Sequence, residues 1–568
     1  MPYSDLCNER IISEDYHDFI VNDIHTSFLS GISKENLCIQ DAGFNYQCVY
    51  LPRIQAEPLT LTRFLYTSIP KCYAPMSLDT LNQAGILAIQ NYPTLQLKGN
   101  GILIGFIDSG IDYENPIFRK LDGTTRIAAI WDQTIQSETP PEAFSYGTEY
   151  TQDQINDALR SESPSAVVPS KDETGHGTFT ASLAAGGGNS EHAFLGAAPE
   201  ATIAVVKLKQ AKQYLRDYYF IPDDAVCYQE TDIILGLRYL DLLAKQMDLP
   251  LVICLALGCN AGGHIGTLPL PSLMNQYAIS SNRIPVTGTG NEADKRHHFL
   301  SNILNDSDMQ TMEIRVGENV TGFSVELWTT LPNIVSISLT SPSGENTARI
   351  PIRAGSRTEF EFILERTRVS VDYRLTVELT TSELIYFRFL APTPGIWRIT
   401  VEPVRVIGGY FHAWLPVSDL LSGEVYFLQS NPDYTVTNPG NAANVIVSAY
   451  YDGNTDAVAL SSGRGYTRNE QVNPSFAAPG INVTGALPDG RYASRSGSSI
   501  ATAVSAGASA LLLEWLINQI GTPAIDAAQI KSLLILGAVR PPGMKFPNTE
   551  WGYGKLNLYN TFEEIRQI

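Results

Sequence analysis

The pattern of apolar and polar positions divides the chain into stretches of different character. From about residue 101, near-continuous apolar runs such as GILIGFIDSG, ATIAVVKLK, LVICLALG and IPVTGTG accompany helical periodicity in TDIILGLRYLDLLAKQM. Uninterrupted apolar strands that alternate with helices are typical of a parallel sheet covered on both faces. The same pattern resumes at NVIVSAYY and continues to the end of the chain. We therefore predict one α/β domain built from two separated parts of the sequence.

Between these two parts, apolar and polar residues alternate instead. MEIRVG, FSVELWTT, IVSISLTSP, RVSVDYRLTVEL and GIWRITVEPV each show a period of two, and turn residues separate them at short intervals. Such alternation is typical of an antiparallel sandwich with one face of each sheet buried. We predict an inserted β-sandwich over residues 305–439, which leaves residues 97–304 and 440–568 as the two parts of the α/β domain.

The first 96 residues carry shorter patterns. FIVNDI and FNYQCVYLP indicate strands, and TLNQAGILAIQ indicates a helix or the start of a strand. NYPTLQLKGNG then combines proline, asparagine and two glycines, which is the composition of a linker. We predict a separate α+β domain over residues 1–96.

Composition argues against several classes of partner. A net charge of −20 argues against nucleic acid, because phosphate binding needs clustered Lys and Arg. The first residues lack a basic stretch followed by an apolar one, and no run approaches about 18 uninterrupted apolar residues, so we expect cytoplasmic synthesis without a signal peptide and no membrane span.

Seven cysteines without a CxxC pair favour reduced thiols. No ligand spacing predicts a metal site, and we expect no cofactor.

Three segments supply the groups that a serine nucleophile needs, namely a base and a carboxylate that orients the base. IGFIDSGIDY places Asp108 at the end of a predicted strand, DETGHGTFTASLAAG places His176 before a small-residue helix, and RSGSSIATAVSAGA places Ser499 at the start of an apolar helix. Asn291, in VTGTGNEADK, follows a buried strand and can donate its amide to a developing oxyanion. Each segment alone would be read as a turn or a helix cap, so the hypothesis depends on the ordered set.

The ordered motifs D-S-G, G-H-G-T and G-S-S-I-A resemble the subtilases, whose triad has the same chain order. LGAAPEATIAVVKL, FAAPGINVTGA and WGYGKLNL resemble further subtilase segments. The resemblance implies a serine-type endopeptidase with Asp108, His176 and Ser499 as the triad and Asn291 at the oxyanion, and it selects Ser499 over the adjacent Ser498. It also implies a set of substrate-binding residues, with a peptide strand along the first four and a specificity pocket walled by the last three: Leu255, Ala256, Leu257, Gly258, Gly288, Thr289 and Gly290.

Within the subtilases, AAIWDQT, GNEADKRHH and SGSSIATA resemble the Csp germination proteases of spore-forming bacteria. This resemblance implies that residues 1–96 are a chaperone prodomain, that the enzyme cuts itself between Gln96 and Leu97, and that it keeps the prodomain as an inhibitor. It further implies a jelly-roll-like insert, a spore-associated protein, and a cortex-lytic proenzyme as the protein substrate. Some Csp relatives have lost triad members, so the alternative is a signalling or scaffold pseudoprotease that binds a germinant or a partner protease. The complete triad argues against that alternative.

Overall fold

A small antiparallel sheet with short helices forms the N-terminal region of the computed structural model, which describes residues 6–22, 38–75, 82–305, 307–350, 352 and 355–567. Strand β3 lies between β1 and β2, as expected for an α+β unit. Two of the predicted elements, FIVNDI and TLNQAGILAIQ, extend into residues outside the described ranges. The elements are α1 (Leu6–Ile12), β1 (Tyr16–Asn22), β2 (Cys38–Gly43), β3 (Tyr46–Pro52), α2 (Arg53–Ala56), β4 (Cys72–Pro75) and α3 (Ile86–Gln90).

A disulfide joins the first helix to strand β2. Its partners are Cys7 and Cys38, whose Cα atoms are 5.3 Å apart. The expectation that all thiols are reduced is therefore wrong for this pair. An odd number of cysteines does not exclude one local bridge, because the small sheet brings together two residues that are 31 positions apart. The remaining five cysteines are buried thiols.

The first part of the α/β domain contributes most strands of a nine-stranded central sheet. Strands β5, β10 and β12 are buried at every position, which explains their continuous apolar sequences. The elements of this part are β5 (Leu103–Asp108), β6 (Ile127–Asp132), β7 (Thr148–Thr151), α4 (Gln152–Arg160), α5 (Pro164–Val167), α6 (His176–Ala185), β8 (Thr202–Lys207), α7 (Gln213–Tyr219), β9 (Tyr228–Gln229), α8 (Glu230–Gln246), β10 (Leu251–Leu255), β11 (Leu257–Gly258), α9 (Pro269–Ala278) and β12 (Arg283–Gly288).

Two antiparallel sheets make up the insert. One has the strand order β13-β21-β15-β19-β18-β17 and the other β16-β20-β14-β22, and their inner faces share one apolar core. The strands are β13 (His298–Leu300), β14 (Gln310–Val316), β15 (Gly322–Thr330), β16 (Ile334–Thr340), β17 (Arg357–Phe362), β18 (Thr367–Arg374), β19 (Ser382–Leu390), β20 (Gly395–Arg405), β21 (Phe411–Trp414) and β22 (Val425–Phe427).

The strands of the sandwich span residues 298–427, whereas the sequence predicted 305–439. The first strand, β13, has only three residues, His298, Phe299 and Leu300, which are too few to show an alternating pattern. The chain after β22 returns to the α/β domain, where Thr437 donates its N–H to the carbonyl of Thr289 and Asn438 pairs with Cys259. The residues that follow the sandwich are therefore part of the wall of the cleft described below.

The second part of the α/β domain completes the sheet, whose order is β24-β23-β12-β10-β5-β8-β6-β7 with β25 also beside β23. All pairings in it are parallel except those of the edge strands β7 and β24. The predicted helix-covered parallel sheet is thereby confirmed, with antiparallel edges. The remaining elements are β23 (Ile446–Asp452), β24 (Ala457–Val458), β25 (Phe476–Pro479), β26 (Val483–Ala486), β27 (Tyr492–Arg495), α10 (Ser498–Glu514), α11 (Ala527–Leu536) and α12 (Leu558–Gln567).

Helix α10 is the central helix of this domain. Together with its π-helical extension it covers Ser498–Gln519, which is long and apolar enough to cross a membrane, but 83% of its most apolar window is buried inside the protein. It packs against α6 and against strands β10, β12, β23 and β25. Its apolar character is therefore explained by its position in the core.

A column of stacked rings joins the sandwich to the α/β domain. His264 stacks on Trp414 with ring centroids 4.0 Å apart, and Trp414 also stacks on His298 and His412. The ring nitrogens Nε2 of His298 and Nδ1 of His412 lie 3.1 Å apart. When both rings are neutral, one of these nitrogens donates the hydrogen between them and the other accepts it. Burial lowers the pKa of His298 to about 3 and, with the neighbouring His298, lowers that of His412 well below its usual value.

We predict that acid weakens this joint. The folded pKa values lie below the value of about 6.5 in the unfolded chain, so the unfolded state binds more protons below pH 6.5 and stability falls as the pH falls from there toward the folded pKa values. At pH 5, each such histidine should lower the free energy of unfolding by roughly 2 kcal/mol relative to neutral pH. The variant His412→Gln keeps an N–H donor for His298 but cannot gain a proton. Its melting temperature should fall less between pH 7.5 and 5 than that of the wild type, and an equal fall would contradict the assignment.

Candidate active site

Three structural elements present the predicted triad at one edge of the central sheet. Asp108 is the last residue of strand β5, and His176 is the first residue of helix α6. Ser499 is the second residue of helix α10. Ligands of an open α/β sheet bind at the carboxyl ends of its strands, where Asp108 lies. The first turn of a helix has N–H groups that find no partner within the helix itself, and it favours negative charge, which suits the position of Ser499.

The structure brings these three side chains into one hydrogen-bonded row. His176 Nδ1 lies 2.7 and 2.9 Å from the two carboxylate oxygens of Asp108, and its Nε2 lies 3.0 Å from Ser499 Oγ. The row indicates that Nδ1–H donates to Asp108 and that Nε2 accepts from the serine hydroxyl. All three residues are buried. This geometry is the one that base-assisted attack by a serine requires.

The buried carboxylate of Asp172, which the sequence analysis missed, links the turn after Asp108 to the start of helix α6, where His176 lies. Asp172 Oδ1 accepts hydrogen bonds from the hydroxyl of Ser109 at 2.7 Å and from the N–H of Gly175 at 2.9 Å. Its Oδ2 accepts from both the N–H and the hydroxyl of Thr178. Asp172 therefore fixes the turn that follows Asp108 relative to the start of α6. The Asp-x-x-Gly-His spacing in the sequence was the available signal.

Asn291 lies beside the start of α10. Its Oδ1 accepts the N–H of Ser498 at 3.1 Å, which leaves the NH2 of the same amide as its donor group. Ser498 is the other serine of the motif that could act as the nucleophile. Its Oγ accepts the N–H of Gly290 at 3.0 Å. These contacts favour Ser499 as the residue that faces the cleft.

The three predicted pocket residues have different surroundings. Gly290 lines a cavity of about 270 Å³ together with Gly258 and Asn291. A side chain on Gly288 would meet Ser498 Oγ at 2.2 Å, so this glycine lets α10 approach strand β12. Thr289 is fully buried, with its N–H and C=O bonded to Ser448 and Thr437. Only Gly290 of the three borders the cavity.

The sandwich supplies part of the same cavity, which sequence analysis did not predict. Val417, Ser418 and Asp419 line it from one side. The hydroxyl of Ser418 donates to Glu292 Oε1 at 2.9 Å, and Glu292 also pairs with His297. Burial raises the pKa of Asp419, with a further contribution from Glu292. The insert therefore contributes polar side chains next to Asn291.

A strand of the N-terminal region pairs with the predicted substrate-binding segment near Ser499. Strand β4 lies between β11 and β9 and is antiparallel to both. Pro75 is opposite Leu257 and Ala74 is opposite Gly258. The carbonyl of Ala256, the next residue toward the nucleophile, lies 3.5 Å from Ser499 Oγ, and that of Leu255 accepts the hydroxyl of Thr287. The predicted substrate segment is thus paired with a chain segment, as a bound peptide strand would be.

The predicted cleavage between Gln96 and Leu97 does not agree with this arrangement. The N–H groups of Lys98 and Gly99 donate to Glu514, the last residue of α10, at 2.9 and 2.7 Å. Ser499 is at the opposite end of that helix, about 22 Å away at 1.5 Å per residue. Leu97 is also completely buried. The NYPTLQLKGNG tract, which we interpreted as a linker, is a turn anchored on the helix end, so the predicted bond is wrong for the chain as folded.

The region between β4 and this turn packs with the α/β domain. Ile86 and Ile89 of helix α3 belong to the same apolar core as strands β5 and β10, and Tyr92 contacts the ring of Tyr559 in α12. Cys7, Ile11 and Tyr50 belong to the same core, so the described residues of the N-terminal region pack against the α/β domain both before and after Pro75. The composition of the later tract could not show this, because Pro and Gly mark anchored turns as well as linkers.

Comparison with known proteins agrees with this geometry. The family model "Subtilase family" matches residues 99–345 and 423–554. The chain belongs to the subtilase family. Subtilases are serine endopeptidases, and this subtilase is similar to the CspB protease of Clostridium perfringens, with 30% identity, a TM-score of 0.76, and coverage of 86% of this chain and 97% of that one. The membrane-bound transcription factor site-1 proteases of mouse and rat are each 32% identical over 23% of this chain, which matches only 12% of their length.

We predict that Asn291→Ala lowers kcat by about 100- to 1000-fold, because a subtilisin that loses one oxyanion donor loses about that much. KM should change little, since the donor acts mainly on the charge that develops in the transition state. A matched control is Asn454→Ala, an exposed asparagine in the turn between β23 and β24. Steady-state cleavage of a peptide substrate measures both constants. A loss confined to KM would assign Asn291 to ground-state binding instead.

Proposed function

We propose that this subtilase is an endopeptidase of limited action, which first cuts its own N-terminal region and then activates a cortex-lytic proenzyme during spore germination. The observation that carries the proposal is the pairing of strand β4 with β11 beside the hydrogen-bonded row of Asp108, His176 and Ser499. The similarity to a Csp protease supports the choice of biological process. A spore-associated location follows from the same resemblance and belongs to the proposal.

The proposed chemistry is acyl transfer. Ser499 attacks the scissile carbonyl while His176 Nε2 takes its proton, and Asp108 stabilises the imidazolium through Nδ1–H. The amide of Asn291 and the N–H of Ser499 hold the oxyanion. His176 then gives the proton to the leaving amine, and a water molecule, deprotonated by His176, releases the acyl group as an acid. Burial first, and then the charges of Asp108 and Asp172, raise the pKa of the adjacent Tyr228, which keeps that hydroxyl neutral throughout.

The register of strand β4 supports a different bond as the one that is cut. Pro75 lies opposite Leu257, and the carbonyl of Ala256, the residue before Leu257, lies 3.5 Å from Ser499 Oγ. We therefore place self-cleavage between Met76 and Ser77, which lie in a part of the chain outside the described residues. The cut fragment would leave its last residues in the cleft as a bound product and would act as an inhibitory prodomain.

Buried polar contacts favour retention of this fragment. Asp18 of strand β1 pairs with Lys212 Nζ at 2.5 Å and accepts from Gln229 Nε2 at 2.6 Å. Lys212 Nζ also donates to the carbonyl of Tyr16 at 3.0 Å, so separation would break a set of buried hydrogen bonds between the fragment and the α/β domain.

Self-cleavage gives the first test. Intact-mass measurement of the purified wild type should show two co-eluting fragments, residues 1–76 and 77–568, whereas Ser499→Ala should give one chain of 568 residues. Ser509→Ala is the matched control, because it removes a buried hydroxyl from the same helix. It should be cut like the wild type, and a fluorophosphonate probe should label Ser499 in it. A wild type that stays uncut and unlabelled would favour the pseudoprotease alternative.

The physiological substrate is tested separately. The wild-type protein incubated with a candidate cortex-lytic proenzyme should produce one defined cut, because only an extended segment can pair with β11. Mass spectrometry of the products locates that cut, and Ser499→Ala serves as the inactive control. Digestion at many positions would indicate general degradation. Intact proenzyme together with efficient self-cleavage would restrict the activity to the chain itself.

A further inference from the structure

We infer that the β-sandwich is an anchor for the cut N-terminal fragment and controls how long that fragment blocks the cleft. The anchor acts on residues 57–71, which join helix α2 to strand β4 and are called the strap below. The inference rests on the proposed self-cleavage after Met76, since only a cut fragment can leave. The partner of this surface of the sandwich is therefore a segment of the same chain.

Strand pairing alone gives the fragment a short hold on the cleft. Strand β4 has four residues, and its register with β11 covers only Ala74 and Pro75. Its register with β9 covers only Cys72 and Tyr73. An added strand gains its affinity from main-chain hydrogen bonds, so two such short ladders leave a share of the affinity to other contacts.

The strap has a fixed shape of its own. Residues Tyr66–Ser68 form a 3-10 turn, and Lys71 Nζ donates to the carbonyl of Tyr66 at 2.7 Å and to that of Ile69. Lys71 is only 1% exposed. A segment that is already ordered loses less entropy when it binds, so each contact that it makes contributes more to the affinity.

Glu326 of strand β15 joins the strap to the sandwich. The hydroxyl of Tyr66 lies 2.6 Å from each of its carboxylate oxygens. The same carboxylate accepts the N–H of Gly262, in the α/β domain, at 2.8 Å and the indole N–H of Trp328 at 3.0 Å. Burial raises the pKa of Glu326, and the hydrogen bond from Tyr66 is the largest effect that opposes this rise. One carboxylate thus contacts all three parts of the protein, and the strap supplies the contact that best stabilises its charge.

Further contacts extend the anchor along the strap. Arg374 Nη2, in strand β18, donates to the carbonyl of Phe64 at 2.8 Å. The ring of Tyr66 meets that of Trp328 edge-on, with centroids 5.4 Å apart. Apolar side chains of both parts share one core, among them Leu61, Phe64 and Ile69 of the strap and Val377, Leu384 and Tyr386 of the sandwich. This surface is separate from the strand pairing in the cleft, so it can slow the release of the fragment without taking part in the chemistry.

Removal of one hydroxyl tests the anchor. Tyr66→Phe keeps the ring beside Trp328 and deletes the hydrogen bond to Glu326. In the cut protein, the dissociation constant of the fragment should rise roughly tenfold or more, since a hydrogen bond to a charged group is worth about that factor. Size-exclusion chromatography of serial dilutions gives the fraction of fragment 1–76 that co-elutes, and peptide hydrolysis measures the cleft that is freed. Tyr16→Phe, which removes a hydroxyl from strand β1 of the same fragment, should behave like the wild type.

A double-mutant cycle assigns the effect to the sandwich. Glu326→Gln should weaken retention as Tyr66→Phe does, and the two changes together should have little more effect than one, because both remove the same bond. Glu361→Gln, an exposed glutamate of strand β17, should leave retention unchanged. Unchanged retention in Tyr66→Phe, or fully additive effects, would overturn the anchor and leave the proposed function standing. A wild type that stays uncut would overturn both. Tyr66→Phe is decisive even if Glu326→Gln fails to fold.

Discussion

The active site of this subtilase depends on how closely helix α10 approaches strand β12. Gly288 has no side chain, and a Cβ at that position would lie 2.2 Å from Ser498 Oγ and 2.6 Å from Thr502 Oγ1. The first turn of the helix therefore lies directly against the strand, and Ser499 comes within 3.0 Å of His176 Nε2. The far end of the same helix holds the chain at Lys98 and Gly99 through Glu514. One helix thus sets the positions of the nucleophile and of the start of the α/β domain.

A second constraint is that three parts of the chain share one apolar core next to the cleft. Phe19 and Leu61 of the N-terminal region, Leu215 of the α/β domain, and Trp328 and Leu384 of the sandwich all belong to it. Strand β4 runs past this core before it pairs with β11. A displacement of any one part would disturb the packing of the other two. The insert is therefore part of the cleft's architecture rather than an appended module.

The sequence was most informative where chemistry requires particular residues in a particular order. Asp108, His176, Ser499 and Asn291 were all identified by motif, and the structure brings them together. Strands such as β5 and β10 were also predictable, because a strand buried on both faces needs a continuous apolar run.

What could not be read from the sequence depends on long-range packing. Strand β4 has only four residues and no alternation, so nothing in its sequence shows that it pairs with β11. The turn near Gln96 looks like a linker until Glu514 is seen to anchor it. Likewise, Val417 and Ser418 line the cavity beside Asn291 only because the sandwich folds back beside the cleft. The disulfide between Cys7 and Cys38 was missed for the same reason, since spacing alone does not reveal which cysteines meet.

The shared core also has a consequence for the lifetime of an enzyme with an open cleft. Departure of the N-terminal region would uncover aromatic and aliphatic side chains, among them Tyr218, Trp328 and Tyr386, that are buried in the structure described here. Contiguous apolar surface of this kind promotes association with other chains. The freed enzyme would therefore lose colloidal stability at the moment it gained access to substrate. Such a molecule is suited to a brief burst of activity at a chosen time rather than to prolonged turnover in solution.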